Sequence, residues 1–436
     1  VSTALTESEL DETQSTPVKG SAFTALRVYN FRLYAHAQLV SNVGGWVQRI
    51  AQDWLVLTIT GSPTAVGITT ALQFLPTLMF GLYGGLLADR YDKRKILLGT
   101  QVSMSALAAV LAVLTLSHGV QAWHVYLVAF GLGLVTAVDN PTRQAFVSEM
   151  VGPDQIRNAI SLNASFFQLG ALIGPAISGV LINVVGSGYA FAINSVSFIA
   201  PFVALWMLRE DELYRGPART RGGSGTLREG IRYVINRPEM RWPTVLVGVF
   251  GFFTINFPVT LSAYAKTVFH SGASGYGLLS SALALGSMVG ALMSARRADN
   301  RLRTLVVTAA LLAVLEMLAS AAPDQWSFIV VTVAVGAVML TLLTSCNSSV
   351  QMAADDSMRG RVMGVYLLVF IGSGAIGGPV LGAIDEYFSP QLGLFVSGLI
   401  PALVTIAIAI RLSRDAQLRV EVHPSAPAHL LVLVPR

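Results

Sequence analysis

Apolar runs of about 20 residues, long enough to cross the hydrocarbon core of a bilayer as helices, follow one another along almost the whole chain. Twelve windows qualify, at roughly 31–60, 64–88, 96–117, 122–146, 158–184, 188–208, 243–268, 275–296, 303–321, 326–350, 360–384 and 393–411. Turn residues separate them: Gly61-Ser62-Pro63, Ser187-Gly188, Ser271-Gly272, Ala322-Pro323-Asp324 and Ser389-Pro390. A soluble domain carries about 25% charged residues. This chain has 12%, with 53% hydrophobic residues, so lipid must solvate much of its surface. The predicted fold class is an all-α membrane protein of 12 transmembrane helices.

The positive charges set the orientation. Alternate loops are loaded: Arg90, Lys93, Arg94 and Lys95; eight arginines from Arg209 to Arg241; Arg296, Arg297, Arg301 and Arg303; Arg359 and Arg361. The intervening loops are almost bare, with Lys266 the exception. Both termini fall on the loaded side, which predicts that both are cytoplasmic in a bacterial inner membrane. Basic residues spread over short loops also argue against nucleic acid as a partner, despite the net charge of +5. The longest connection, 209–242, divides the chain into two sets of six spans, 31–208 and 243–414. Residues 1–30 are expected as a disordered cytoplasmic tail and 415–436 as a C-terminal tail. The ending Leu433-Val434-Pro435-Arg436 looks like the remnant of a thrombin site.

The two sets share an internal repeat. RNAISLNASFFQLGALIGP from Arg157 aligns without gaps on RVMGVYLLVFIGSGAIGGP from Arg361. Phe166 then matches Phe370, Gly170 matches Gly374, and Gly174-Pro175 matches Gly378-Pro379. Gly84 and Arg90 at the end of the second span correspond at nearly the same offset to Gly290 and Arg296 at the end of the eighth. Parallel repeats of this kind place a substrate site between the halves, near the midplane.

GGLLADRYDKRK, residues 84–95, resembles the loop signature of the major facilitator superfamily. Gly85, Asp89, Arg90, Arg94 and Lys95 match it, and Asp92 replaces the family's second glycine. The resemblance implies that Asp89 faces the start of the eleventh span at Gly360-Arg361, as a latch on the cytoplasmic gate. The alternative is a solvated charged turn that only fixes topology. GALIGPAISG, Gly170 to Gly179, is similar to the signature of the superfamily's exporters, with Ser178 in place of one glycine. Gly170 and Gly174 share a helix face that admits another backbone closely, while Pro175 removes a backbone donor. An ordinary small-residue packing face is the other reading. Stretches such as WLVLTITGSPTAVG (54–67) and DNPTRQAFVSEMV (139–151) look like the bacterial drug and siderophore exporter branch, which includes macrolide efflux proteins and the enterobactin exporter. The resemblance covers Asn30 to about Arg414. It implies a major-facilitator-type bundle in two six-helix halves, exporting a small amphipathic substrate by alternating access with proton coupling. A lysophospholipid flippase or facilitated importer would share the fold. A non-transporting receptor or scaffold would have no use for a wet cavity.

Ionisable residues inside spans are candidates for function. In the first span Gln38, Ser41, Gly45, Gln48, Arg49, Gln52 and Asp53 recur at three-or-four spacing as one polar stripe. Such a stripe faces a water-filled cavity or other helices. Arg49 and Asp53 lie one turn apart, either as a static pair or with Asp53 as the proton carrier. Glu316 in the ninth span is a second acid, close enough to the outer end to reach the surface. Asn256 adds polarity to the expected cavity. Asp139 and Arg143 close the fourth span and read as a one-turn pair at the inner gate. Many proton-coupled relatives carry an arginine early in that span; this chain has Gly131 and Gly133 without it. The lone Cys346 allows no internal disulfide. No Walker loop, metal-spaced histidine pair or nucleophile elbow occurs, so neither a cofactor, a metal nor an enzymatic activity is expected. The predicted partners are a small-molecule substrate, protons and the lipid bilayer, with the protein a monomer.

Overall fold

The computed structural model describes residues 23–214, 227–295, 302–355, 357–415, 418–422 and 431–435. The expected tail over 1–22, part of the linker, and Arg296, Arg297, Arg301 and Arg436 lie outside them. The first six spans are α1 (Tyr29–Thr60), α2 (Pro63–Arg90), α3 (Lys93–Leu116), α4 (Ala122–Val151), α5 (Ile156–Val185) and α6 (Ser187–Trp206). A shorter helix, α7 (Leu227–Asn236), precedes the second six. These are α8 (Pro238–Val268), α9 (Gly272–Ala295), α10 (Leu302–Ser320), α11 (Gln325–Ala353), α12 (Arg359–Tyr387) and α13 (Pro390–Asp415). Eleven of these segments are long and apolar enough to span a membrane. The polar stripe of α1 keeps that helix below the same hydropathy, although it runs for 32 residues. Beyond the bundle, β1 (Leu418–Val422) pairs antiparallel with β2 (Leu431–Pro435), Leu418 opposite Pro435.

The turn residues act as their chemistry requires. Gly61 ends α1 in the left-handed region at φ 72°. Ser62 then caps α2 by accepting the Ala65 N–H, with Pro63 at the first helical position. Asp324 caps α11 through the N–H groups of Trp326 and Ser327. Within α8, Pro258 has no N–H to return to the Thr254 carbonyl, and the helix passes through a 3-10 turn at Thr254–Asn256.

The halves repeat their packing. α2 lies along α4 as α9 lies along α11, α1 along α5 as α8 along α12, and α3 along α6 as α10 along α13. At Gly84 an added Cβ would run into the Ala137 carbonyl of α4; at Gly290 it would run into the Ala337 carbonyl of α11. The aligned glycines thus make the same contact in each half. Between halves, α5 crosses α9 and α2 crosses α12.

Two tail and linker expectations need correction. Residues 23–28 are not part of a disordered tail: Thr24–Arg27 forms a 3-10 turn, Ala25 is buried, and its N–H donates to Asn158 Oδ1 at 2.9 Å. Within 209–242, α7 is a docked amphipathic helix and Pro238 already opens the seventh span. Glu229 pairs with Arg361 at 3.1 Å, while Tyr233 and Arg237 bond to Asp355 at 2.6 and 3.1 Å.

Candidate functional site

The two ends of the bundle differ. The end carrying the basic loops opens into a cavity of about 2000 Å³ between the halves. Residues of α1, α2, α4 and α5 line it on one side, and Ala291, Leu340 and Thr344 of α9 and α11 on the other. The far end is closed by bonds that join the halves. Tyr276 of α9 donates its hydroxyl to Asp53 Oδ2 at 3.0 Å, both side chains buried, and its ring stacks on Trp54. Lys266 of α8 donates to the Leu57 carbonyl of α1 at 2.7 Å. Glu386 of α12 accepts from Ser62 Oγ and from the Thr64 N–H. The helices meet here through small residues: a Cβ at Gly378 or Gly382 would strike the α2 backbone at Gly67 or Pro63, and one at Gly277 would strike the Pro175 carbonyl of α5.

The exporter-like glycines all pack against neighbouring helices. Gly170 abuts Asn42 and Val43 of α1, Gly174 abuts Trp46 and Val43, and Gly179 abuts Ala273 and Ser274 of α9. In the second half Gly374 faces Gly251 and Ile255 of α8, and Pro379 follows Gly378 at the α2 crossing.

The polar stripe divides between two surroundings. Gln38, Ser41, Gly45 and Arg49 line the cavity, joined by Asn42 and Trp46. Gln48 and Gln52 do not line it, contrary to expectation. They sit on a neighbouring face of the helix and are buried, Gln48 against α6, where Asn194 Nδ2 donates to Gln48 Oε1. Arg49 and Asp53 form no ion pair. The Asp53 carboxylate turns to Tyr276, and the Arg49 guanidinium lies over the rings of Trp46 and Phe74, 5.6 and 5.7 Å from their centroids.

Glu316 does not reach the surface: it is fully buried within the second half, accepting from Thr254 Oγ1 at 2.7 Å. Its depth along α10 is near the end, but its direction is inward. Asn256 is likewise absent from the cavity wall, its Nδ2 donating to the carbonyls of Phe252 and Gly374 at 2.9 and 3.0 Å. Asp385, which the sequence reading passed over, is a further buried acid; Thr260 Oγ1 donates to it at 2.8 Å.

At the open end Asp89, Arg90, Arg94, Asp139 and Arg143 all line the cavity mouth. Asp139 and Arg143 pair as their spacing suggests, Nε to Oδ2 at 2.9 Å, with Thr100 and Gln101 donating to Oδ1. The Asp89 contact with α12 is not made in this structure: Arg361 bonds to Glu229 instead. Arg94 reaches Glu210 and the carbonyls of Leu205 and Trp206, tying α3 to the end of α6.

Comparison with known proteins agrees with this architecture. A 25% identical relative, the multidrug efflux pump Tap of Mycolicibacterium fortuitum, aligns over 401 residues, 88% of this chain and 96% of that protein. The staphyloferrin A transporter of Staphylococcus aureus is 30% identical over 165 residues, 37% of this chain and 42% of that protein. Among solved structures, a mutant of the nucleoside transporter NupG superposes with a TM-score of 0.70 at 12% identity, covering 87% of this chain and 99% of that one; it shares the fold. The profile of a family described as transmembrane secretion effector matches residues 20–432, and the chain therefore belongs to that family of major facilitator superfamily transporters.

Proposed function

We propose that this protein exports a small amphipathic compound across a bacterial inner membrane by alternating access, working as a monomer with both termini in the cytoplasm. The carrying observation is the cavity between halves, open at the basic-loop end and closed opposite by bonds that cross from one half to the other. By the positive-inside rule the open end is cytoplasmic. The halves 31–208 and 243–414 then rock about the α2–α12 and α5–α9 crossings, where small residues let helices slide without side-chain interlock. The similarity to a multidrug efflux pump and to a staphyloferrin A transporter supports an exporter reading.

The driving force in this reading is the proton gradient, with Asp53 as carrier. Asp53 sits one turn beyond the cavity wall and its only protein partner among the described residues is Tyr276, across the interface that must open. Opening the far end replaces that bond with water, which is the moment at which a proton can exchange. Asp139 stays paired with Arg143 inside one half and has no such alternation. The test is efflux from proteoliposomes against an imposed pH gradient. Asp53→Asn is expected to abolish gradient-driven efflux while leaving equilibrium exchange. A gradient-driven Asp53→Asn variant would reassign the coupling to Glu316 or Asp385, and a gradient-independent wild type would leave a facilitator.

A further inference from the structure

From the cavity wall we infer that the transported compound is an organic anion, and that Arg49 holds its charged group. The inference rests on the transport reading for the word "transported", and on the side chains alone for the sign of the charge. Arg49 lines the cavity, yet among the described residues it forms no hydrogen bond and no ion pair. What it touches is aromatic: the faces of Trp46 and Phe74 flank the guanidinium, and Trp46 in turn lies 5.8 Å from Phe167 across the cavity lining. Rings hold a guanidinium through its face and leave the N–H fork unspent. That fork matches a carboxylate, or another oxyanion such as a sulfonate that presents two oxygens side by side.

The acids that might otherwise answer this cation are occupied or distant. Asp53, one turn on, takes its hydrogen bond from Tyr276 and attracts Arg49 only through space, leaving the N–H fork uncontacted. Asp139 is taken by Arg143, Thr100 and Gln101, and Glu149 by Lys93 at 2.7 Å. Asp92 caps α3 through the Lys95 N–H. Asp89 stands in the last turn of α2, at the mouth. Arg49 lies deeper, about 30 Å along α1 from the start of that helix at the mouth, and no hydrogen bond or ion pair among the described residues joins the two. The deep cavity therefore presents one guanidinium in an aromatic setting whose N–H groups no acid among the described residues contacts. A lipophilic cation entering it meets the guanidinium and, Asp53 being outside the wall, no carboxylate there to bond, whereas an aromatic or apolar acid gains both the fork and the ring faces.

The test uses two probes with one body and opposite charge, pyrenebutyrate and pyrenebutyltrimethylammonium, titrated by fluorescence onto the purified full-length protein at pH 7 without any gradient. Wild type is expected to bind the anion at least about tenfold tighter, ~1.4 kcal/mol. Arg49→Gln should erase most of that preference, Arg49→Lys keep part of it, and Trp46→Leu weaken both probes without changing the preference. Gly45→Asp places an acid one turn before Arg49 on the same wall, where an added Cβ meets nothing within 4 Å; it should also cut the preference and serves if Arg49→Gln does not fold. Equal or tighter binding of the cation by wild type, a preference indifferent to Arg49→Gln and Gly45→Asp, or no binding of either probe would each overturn the inference. Efflux of the same probes from proteoliposomes separates the two readings. An anion preference without efflux sinks transport and keeps the site; efflux of the cation without anion preference does the reverse.

Discussion

Removing the Tyr276 hydroxyl is the sharpest perturbation of the closed end. The Tyr276–Asp53 bond joins α9 to α1 at 3.0 Å, with both partners buried. It can exist only while the far end is shut, because the helices belong to different halves. A hydrogen bond to a charged group contributes about 1.5–3 kcal/mol net. Tyr276→Phe removes that amount from the closed state, and the open state, where water reaches the carboxylate, is little affected. The ratio of far-end-open to far-end-closed molecules should then rise roughly 10- to 100-fold. Closure should persist in part, because Lys266–Leu57 and Glu386–Thr64 still bridge the halves. Asp53→Asn retains an acceptor for the tyrosine and should shift the ratio less. Spin labels at Ile59→Cys and Thr267→Cys, both exposed at this end, in a background with Cys346 replaced, report the separation by pulsed dipolar spectroscopy. An unchanged distance distribution in Tyr276→Phe would refute the idea that this bond helps to hold the far end shut.

Two further predictions concern the scaffold. Gly84→Ala and Gly290→Ala should each destabilise the protein by about 1–3 kcal/mol, to a similar extent, because both new methyls meet a carbonyl of the facing helix; thermal unfolding of the purified variants checks this, and a silent variant would dissolve the structural equivalence of the two sites. Asp355, in the loop after α11, is held below its ordinary value of 3.8 by the Tyr233 hydroxyl and then by Arg237. The docking of α7 that it supports is present above that value and lost as pH falls through the lower folded one. Asp355→Asn should mimic the acid state at neutral pH as a modest, salt-sensitive drop in hydrogen-exchange protection of 227–236, since the pair is exposed. A variant with full protection would show that apolar docking alone holds the helix.

The spans were legible because lipid imposes a length and a composition on each, and both are local. The edges were less so: α4 runs on to Val151 and α8 begins at Pro238, since helix does not stop where apolarity does. The α7 helix was hidden by its arginines, although Val234, buried, and Ile231 and Ile235, exposed, carry a helical period. The repeat was legible through glycines because a close helix crossing excludes a Cβ in either half, so the same residue recurs at Gly84 and Gly290.

The site was legible in depth but not in direction. Sequence spacing gives how far along a helix a residue lies, and it placed Asp53 and Glu316 toward one end. It does not say which neighbour that face meets. Gln48 and Gln52 share a stripe with Arg49, yet both are buried away from the cavity, Gln48 against Asn194 of α6. Tyr276 lies 223 positions from its partner Asp53, and no local pattern joins them. Asp385 was hidden beside Glu386 and Tyr387, where a polar helix end is the ordinary reading, and only Thr260 on α8 reveals it as buried. The duplicated scaffold thus came from features the halves share, and the candidate chemistry lies where they differ. The first half turns its acid, Asp53, to the interface and its cation, Arg49, to the cavity. The second keeps Glu316 and Asp385 inside itself, each beneath a threonine of the broken helix α8. In the proposed cycle that difference matters: the Asp53 bond crosses from one half to the other and is broken when they part, whereas Glu316 and Asp385 keep their threonines whichever way the halves tilt.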